Sequence, residues 1–174
     1  MPQTISICVI AKNEEKYLEG CLNSVKSIVD EIIIVDTGST DKTKEIAKKF
    51  NAKIFDFKWI DDFSAARNES IRYATKDWIL VMDADEVIEK HDLAKIKDAI
   101  ENADVAGFSL EQRSYTSNFF EGAVKNESNF ELVKDYPFYI PHFLVRLFKN
   151  GLGLHFKHRV HELIEDSIKE KNLK

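Results

Sequence analysis

Four short apolar runs, each followed by a helix-like or turn-forming segment, constrain this chain more than any other feature. Ile5 to Ile10 is rich in β-branched residues and reads as a buried strand. Asn13 then stands where a helix cap is needed, ahead of apolar positions Tyr17, Leu18, Cys21, Leu22, Val25 and Ile28, with Glu14 and Glu15 in the dipole-favoured first turn. Glu31 to Val35 is a second strand. The turn Asp36-Thr37-Gly38-Ser39-Thr40-Asp41, rich in cap formers, opens a helix carrying Ile46, Ala47 and Phe50. Lys53 to Phe57 predicts a third strand, Ser64 to Thr75 a helix, Trp78 to Met82 a fourth strand and His91 to Asn102 a further helix. Strand and helix alternating at this spacing predict an α/β fold, a Rossmann-like doubly wound sheet that is mostly parallel, with helices on both faces.

Past Val105 the pattern changes. Ala106 to Arg113 reads as a strand, and Ser114 to Pro141 as an irregular aromatic segment of the kind used for binding loops and lids. Phe143 to Lys149, Asn150-Gly151 and Leu152 to Lys157 predict a hairpin, and Val160 to Lys174 a helix. The 174 residues suit a single domain 1–174, with a nucleotide-binding half 1–105 and a variable, acceptor half 106–174 that is short enough to be truncated.

Composition narrows the class. With 44% hydrophobic and 32% charged residues the chain is globular rather than disordered, and a formal net charge of -5 without a basic run disfavours nucleic acid. Cys8 and Cys21 fall at core positions, which fits a reduced, cytoplasmic setting. The start Met1-Pro2-Gln3-Thr4 lacks a basic leader and no run approaches the length of a membrane span, leaving peripheral membrane contact as the only membrane association expected.

The fourth strand ends on Asp83-Ala84-Asp85-Glu86-Val87. Side chains alternate along a strand, so Asp83 and Asp85 can share one side at the carboxyl edge, where open α/β sheets bind ligands. Two hard oxygen donors suit Mg²⁺ or Mn²⁺ bridging to phosphate; the structural alternative is a polar strand end. The loops after the first and second strands bring Asn13-Glu14-Glu15 and Asp36-Thr37-Gly38-Ser39 to the same edge. Neither a Gly-x-Gly-x-x-Gly loop nor a Gly-Lys-Ser/Thr phosphate loop occurs, which disfavours a nicotinamide or flavin dinucleotide site.

Four segments in order, Ile5 to Glu15, Val35 to Asp41, Ala66-Arg67-Asn68 and Met82 to Asp85, resemble the family 2 glycosyltransferases of the GT-A fold, most closely over residues 4 to 90. The resemblance implies an inverting enzyme of hexosyltransferase type that uses a nucleotide-diphosphate sugar, with UDP-sugars the expected donors, and a Mg or Mn divalent cation. It implies that Ala11, Asn13 and Glu14 line the nucleoside pocket, that Asp36 is the first acid of the family's Asp-Asp-Gly-Ser turn, and that Arg67 lies near the phosphates, its alternative being a surface ion pair on a helix. Asp83 would face the ribose or sugar, and Asp85 would ligate the metal. Two positions depart from the pattern: Thr37 replaces the second acid of the turn, and Lys12 the family's tyrosine, which weakens base recognition. Arg146-Leu147-Phe148 followed by His161-Glu162 is similar to a subgroup that includes lipopolysaccharide core and peptide-modifying enzymes, a cell-envelope setting. There His161 would be a further metal ligand, its alternative being a cap or surface histidine.

Inversion requires a base opposite the leaving group. With Asp83 and Asp85 committed, Glu162 is the expected base and Glu111 the second choice, each with a solvated carboxylate as its alternative. The acceptor would be a saccharide, a lipid-linked glycan or a protein. Aromatic residues Tyr115, Phe119, Phe120, Tyr136, Phe138 and Tyr139 could stack on a sugar or belong to the core. The rival readings are a haloacid dehalogenase-like Mg-dependent phosphatase, with Asp83 as nucleophile, and a nonenzymatic nucleotide-sugar-binding module. Against the phosphatase, three strands precede the aspartates and no late Gly-Asp-x-x-x-Asp motif follows.

Overall fold

The computed structural model describes residues 2–101 and 103–174. Its elements are β1 (Ile5–Ala11), α1 (Leu18–Val25), β2 (Glu31–Asp36), α2 (Thr43–Lys49), β3 (Lys53–Asp56), α3 (Phe63–Arg72), β4 (Trp78–Asp83), α4 (Lys90–Glu101), β5 (Gly107–Thr116), β6 (Val124–Lys125), β7 (Phe138–Lys149) and α5 (Glu165–Glu170). Asn102, the expected end of the fourth helix, lies outside the described residues. The sheet runs β3-β2-β1-β4-β7-β5, with β6 also on β7. β1, β2, β3 and β4 are parallel; β7 is antiparallel to β4, β5 and β6.

Period-two alternation explains why helices cover both faces. Ile5, Ile7, Val9, Trp78, Leu80 and Met82 point to one side and pack on Leu18, Leu22, Val25, Ile46, Ile96 and Ile100 of α1, α2 and α4. Cys8, Ile33, Ile79 and Val81 point to the other and meet Ile71, Leu154, Phe156 and Ile164. The nearly continuous apolar strands are those of a sheet buried on both sides.

Three expectations for the second half are corrected. Among the described residues Leu152 to Lys157 forms no hairpin arm, and its one ladder contact is an isolated bridge between Lys157 and Leu163. β7 is inserted between β4 and β5, so its edges are already paired, and Leu154 and Phe156 are buried on the sheet face instead. The segment Val160 to Lys174 is helical only over Glu165–Glu170, because His161 adopts a left-handed φ of 56° that a helix cannot accommodate. Finally, the irregular stretch is shorter than expected: β5 continues to Thr116 and β7 begins at Phe138.

Candidate active site

Parallel pairing puts the chemistry at one edge. Ala11 is level with Asp36, and Ile10 with Asp83, so the ends of β1, β2 and β4 deliver their loops together. Asn13 does not cap α1 as the sequence suggested; the helix starts after Tyr17, which is exposed. Instead Asn13 takes a left-handed φ of 59°, a conformation Asn tolerates better than most residues. Its Oδ1 accepts from the Thr40 N–H at 2.8 Å and its own N–H donates to Ser39 Oγ at 2.9 Å. The Glu14 N–H donates to Thr43 Oγ1 at 2.7 Å, so the first two loops are stitched into one wall.

Asp36 organises that wall. Its Oδ2 accepts from the N–H groups of Gly38 (3.1 Å) and Ser39 (2.9 Å), and Lys44 lies 3.4 Å away. Burial alone would raise this carboxyl, but those hydrogen bonds and the Lys44 charge hold it below the ordinary carboxylate range. Its Oδ1 is buried with no hydrogen-bond partner among the described residues. Thr37 is buried too, its N–H and Oγ1 both donating to the Ala11 carbonyl, at 2.9 and 3.3 Å.

Arg67 is the centre of the site. It projects from α3, whose first turn is capped by Asp62 accepting the Ala65 N–H at 3.0 Å, and its side chain is only 2% exposed. One guanidinium nitrogen pairs with Asp83, another donates to the Met82 carbonyl at 3.1 Å, and Nε donates to Glu162 at 3.2 Å. Arg146 of β7 reaches Asp83 from the other side at 3.3 Å and lies 3.6 Å from Glu86. Burial would raise the Asp83 carboxyl, but the two guanidinium groups outweigh it and hold it low. Glu86, whose Oε2 accepts the Asp83 N–H at 2.8 Å, is pushed up by burial and by the Asp83 charge in spite of Arg146.

Asp85 stands exposed on the turn. Glu14 is raised by burial and then by the negative charges of Asp85, Asp41 and Asp83, so the acids of the first, second and fourth loops share one field. Asp83 is matched by Arg67 and Arg146, which leaves the exposed Asp85 as the carboxylate of this turn open to a divalent metal; the three-donor group brought together among the described residues lies further on, at Glu89, His91 and Asp92. His161 is exposed, next to Glu162 on a loop held to α3 by the Phe63 N–H donating to the Arg159 carbonyl at 2.9 Å. Among the described residues no contact joins His161 to Asp85. His155 and His158 bond Ser167 and Asp166, at 3.2 and 2.8 Å, as surface residues.

The structure therefore joins Arg67, Asp83 and Glu162 directly and gathers Ala11, Asn13, Glu14, Asp36 and Thr37 at the neighbouring wall. Glu111 is elsewhere, on β5, paired with Arg113 at 2.9 Å. Sequence reasoning did not include Arg146 or Glu86 among the site residues. Glu86 was visible as the next acid after Asp85, whereas Arg146 was visible only as part of its Arg-Leu-Phe motif.

A sequence model of glycosyl transferase family 2 matches residues 6–163. The chain belongs to that family. The chain is 36% identical over 164 residues to a TPR repeat-containing protein of Synechococcus elongatus, a match covering 94% of this chain and 36% of the relative. It is 46% identical over 95 residues to the SPbeta prophage-derived glycosyltransferase SunS of Bacillus subtilis, covering 53% of this chain and 22% of that one. The chain thus spans about a third or less of the length of these two relatives. Among solved structures, glucosyl-3-phosphoglycerate synthase from Mycobacterium tuberculosis, crystallised with Mn²⁺, UDP and glucosyl-3-phosphoglycerate, superimposes with a TM-score of 0.51 at 22% identity, over 60% of this chain and 42% of the other. That likeness identifies the GT-A fold. Family membership gives no support to the phosphatase reading or to a nonenzymatic module. Among the described residues no helix is long and apolar enough to cross a membrane.

Proposed function

We propose that this glycosyltransferase is an inverting hexosyltransferase that takes its sugar from a UDP-sugar. The observation that carries the reading is the meeting of three strand-end loops and Arg67 at one edge, with the exposed Asp85 on the turn that leaves it. The Mn²⁺ and UDP found with the Mycobacterium tuberculosis synthase support it by analogy of fold. Residues 1–105 act as the donor half and 106–174 as the acceptor half.

When bound, Mg²⁺ or Mn²⁺ supplies positive charge to the leaving diphosphate. Asp85 would hold it, with His161 as a second donor. Ala11, Asn13, Glu14, Asp36 and Thr37 form the nucleoside wall, which Asp36 braces from within by accepting the Gly38 and Ser39 N–H groups. Asp83, held between Arg67 and Arg146, orients toward the ribose or sugar rather than competing for the metal. Glu162 takes the acceptor proton, its orientation set by Arg67. A saccharide, lipid-linked or protein acceptor, a cytoplasmic location with peripheral membrane contact, and a place in the cell-envelope subgroup complete the proposal.

The test is calorimetric titration of UDP with Mn²⁺, then with EDTA, on wild type and Asp85→Ala. Metal-dependent binding that the variant loses by about tenfold or more is expected. UDP binding indifferent to both EDTA and the substitution would overturn the assignment.

A further inference from the structure

A cavity of about 630 Å³ opens between the start of α4, the β5–β7 ladder and the segment around residues 124–129. Its volume falls within the range of small-molecule sites. The donor reading does not use it. It nevertheless adjoins the donor edge along the chain: Glu89 on its rim belongs to the connection that leaves Asp85.

The chemistry of the wall is specific. The Arg113 guanidinium covers one face of the Tyr139 ring, 4.8 Å from its centroid, and Tyr115 flanks the ring at a tilt of 47° with centroids 5.7 Å apart, so the stacking platform is the part of the ring that lines the cavity. Each cation facing the cavity already has a carboxylate among the described residues. Arg113 pairs with Glu111 at 2.9 Å, His91 Nδ1 lies 2.9 Å from Glu89, and Lys125 is 3.8 Å from Glu127. A phosphorylated or carboxylated ligand would meet no surplus positive charge here, and would face Glu89 and Glu127. What remains is a set of flat polar groups, carboxylate, amide and guanidinium, around an aromatic face. Hydroxyl groups can donate to the first and accept from the others, while the C–H face of a sugar ring packs on the phenol.

We propose that this cavity is the acceptor subsite and that its occupant is a neutral saccharide, stacked on Tyr139 and hydrogen-bonded by Glu89 and Asn129. The assignment rests on the glycosyltransferase reading and narrows its acceptor to one class. An anionic small molecule is the alternative that the test separates.

Saturation-transfer difference NMR on the full chain, with UDP and Mn²⁺ present, would use a panel of neutral disaccharides (maltose, cellobiose, lactose, diacetylchitobiose) against glucose 6-phosphate and 3-phosphoglycerate. At least one neutral disaccharide is expected to bind, and Tyr139→Ala is expected to weaken it by about fivefold to tenfold. Glu127→Lys, on an exposed loop position, provides a second variant that does not depend on the β7 ladder; it should shift preference toward the phosphorylated probes. The proposal is overturned if only the anionic probes bind, if no disaccharide binds, or if disaccharide binding is the same in both variants as in wild type. UDP titration of the same wild-type preparation reports separately on the donor site. Loss there sinks the parent reading, whereas UDP binding without glycan binding sinks only this one.

Discussion

Replacing Arg67 by alanine removes the residue on which three parts of the site depend. The guanidinium is 2% exposed and serves the Asp83 and Glu162 carboxylates and the Met82 carbonyl at once. Breaking a buried ion pair from one side typically costs about 3–5 kcal/mol, because the remaining charge stays desolvated. Asp83 is about a third exposed and keeps Arg146, which places the expected loss at the low end, about 3 kcal/mol. For a chain of this size that is a fall of roughly 6–12 °C in melting temperature at pH 7. The pH dependence has a definite sign. Asp83 has a depressed pKa in the fold, so its stabilisation is complete above the unfolded carboxylate value of about 3.9 and fades as pH falls through the lower folded value. The gap between wild type and Arg67→Ala should therefore be constant from pH 7 to about 5 and narrow below about 4. Scanning calorimetry of both proteins across that range is the assay. A variant melting within about 1 °C of wild type at pH 7 would refute the view that Arg67 is a buried linking charge.

Three further perturbations have outcomes set by local geometry. Burial would raise the Glu31 carboxyl, but Lys53, Ser6 and Thr75 outweigh it and bring it down to about 2. Glu31→Gln should then cost about 2 kcal/mol at pH 7, allowing for the exposure of Lys53, and the difference should close as pH falls from about 4 toward 2, as followed by urea unfolding. At Gly107 an added Cβ would sit 3.0 Å from the Leu147 carbonyl oxygen and 3.0 Å from Val145 Cγ1, so Gly107→Ala should destabilise by about 1–3 kcal/mol, with faster hydrogen exchange in β5 and β7. Asn13→Ala places a poorly suited residue at a left-handed φ and removes the acceptor of the Thr40 N–H; a loss of about 1–2 kcal/mol in thermal unfolding is expected, with Asn13→Gly recovering only the backbone part.

How far the sequence could be read depended on how local each signal was. β1, β2 and β4 announced themselves as continuous apolar runs because both faces of the sheet are buried, and the acids ending β4 were legible because they are consecutive. The second half misled because an apolar stretch has no intrinsic partner. Leu152 to Lys157 carries the residues of a strand, but the ladder positions it would need are occupied by β4 and β5. Asn13 carries a capping side chain, yet the acceptor is spent on Thr40 in the neighbouring loop, a contact between residues far apart in the chain.

The same distinction separates composition of the site from its wiring. The amino-acid sequence by itself determined the doubly wound α/β plan and the set of polar residues reaching the carboxyl edge, because strand periodicity and strand-end position are properties of short segments. Tertiary structure alone decided that Arg67 joins Asp83 to Glu162, that Arg146 closes the other side, and that Glu111 is turned to Arg113 instead. Those pairings unite α3, β4, β7 and the loop before α5. Which charges meet across such separations follows from how helices and strands pack, since Coulomb attraction acts on distance in space and not on distance along the chain.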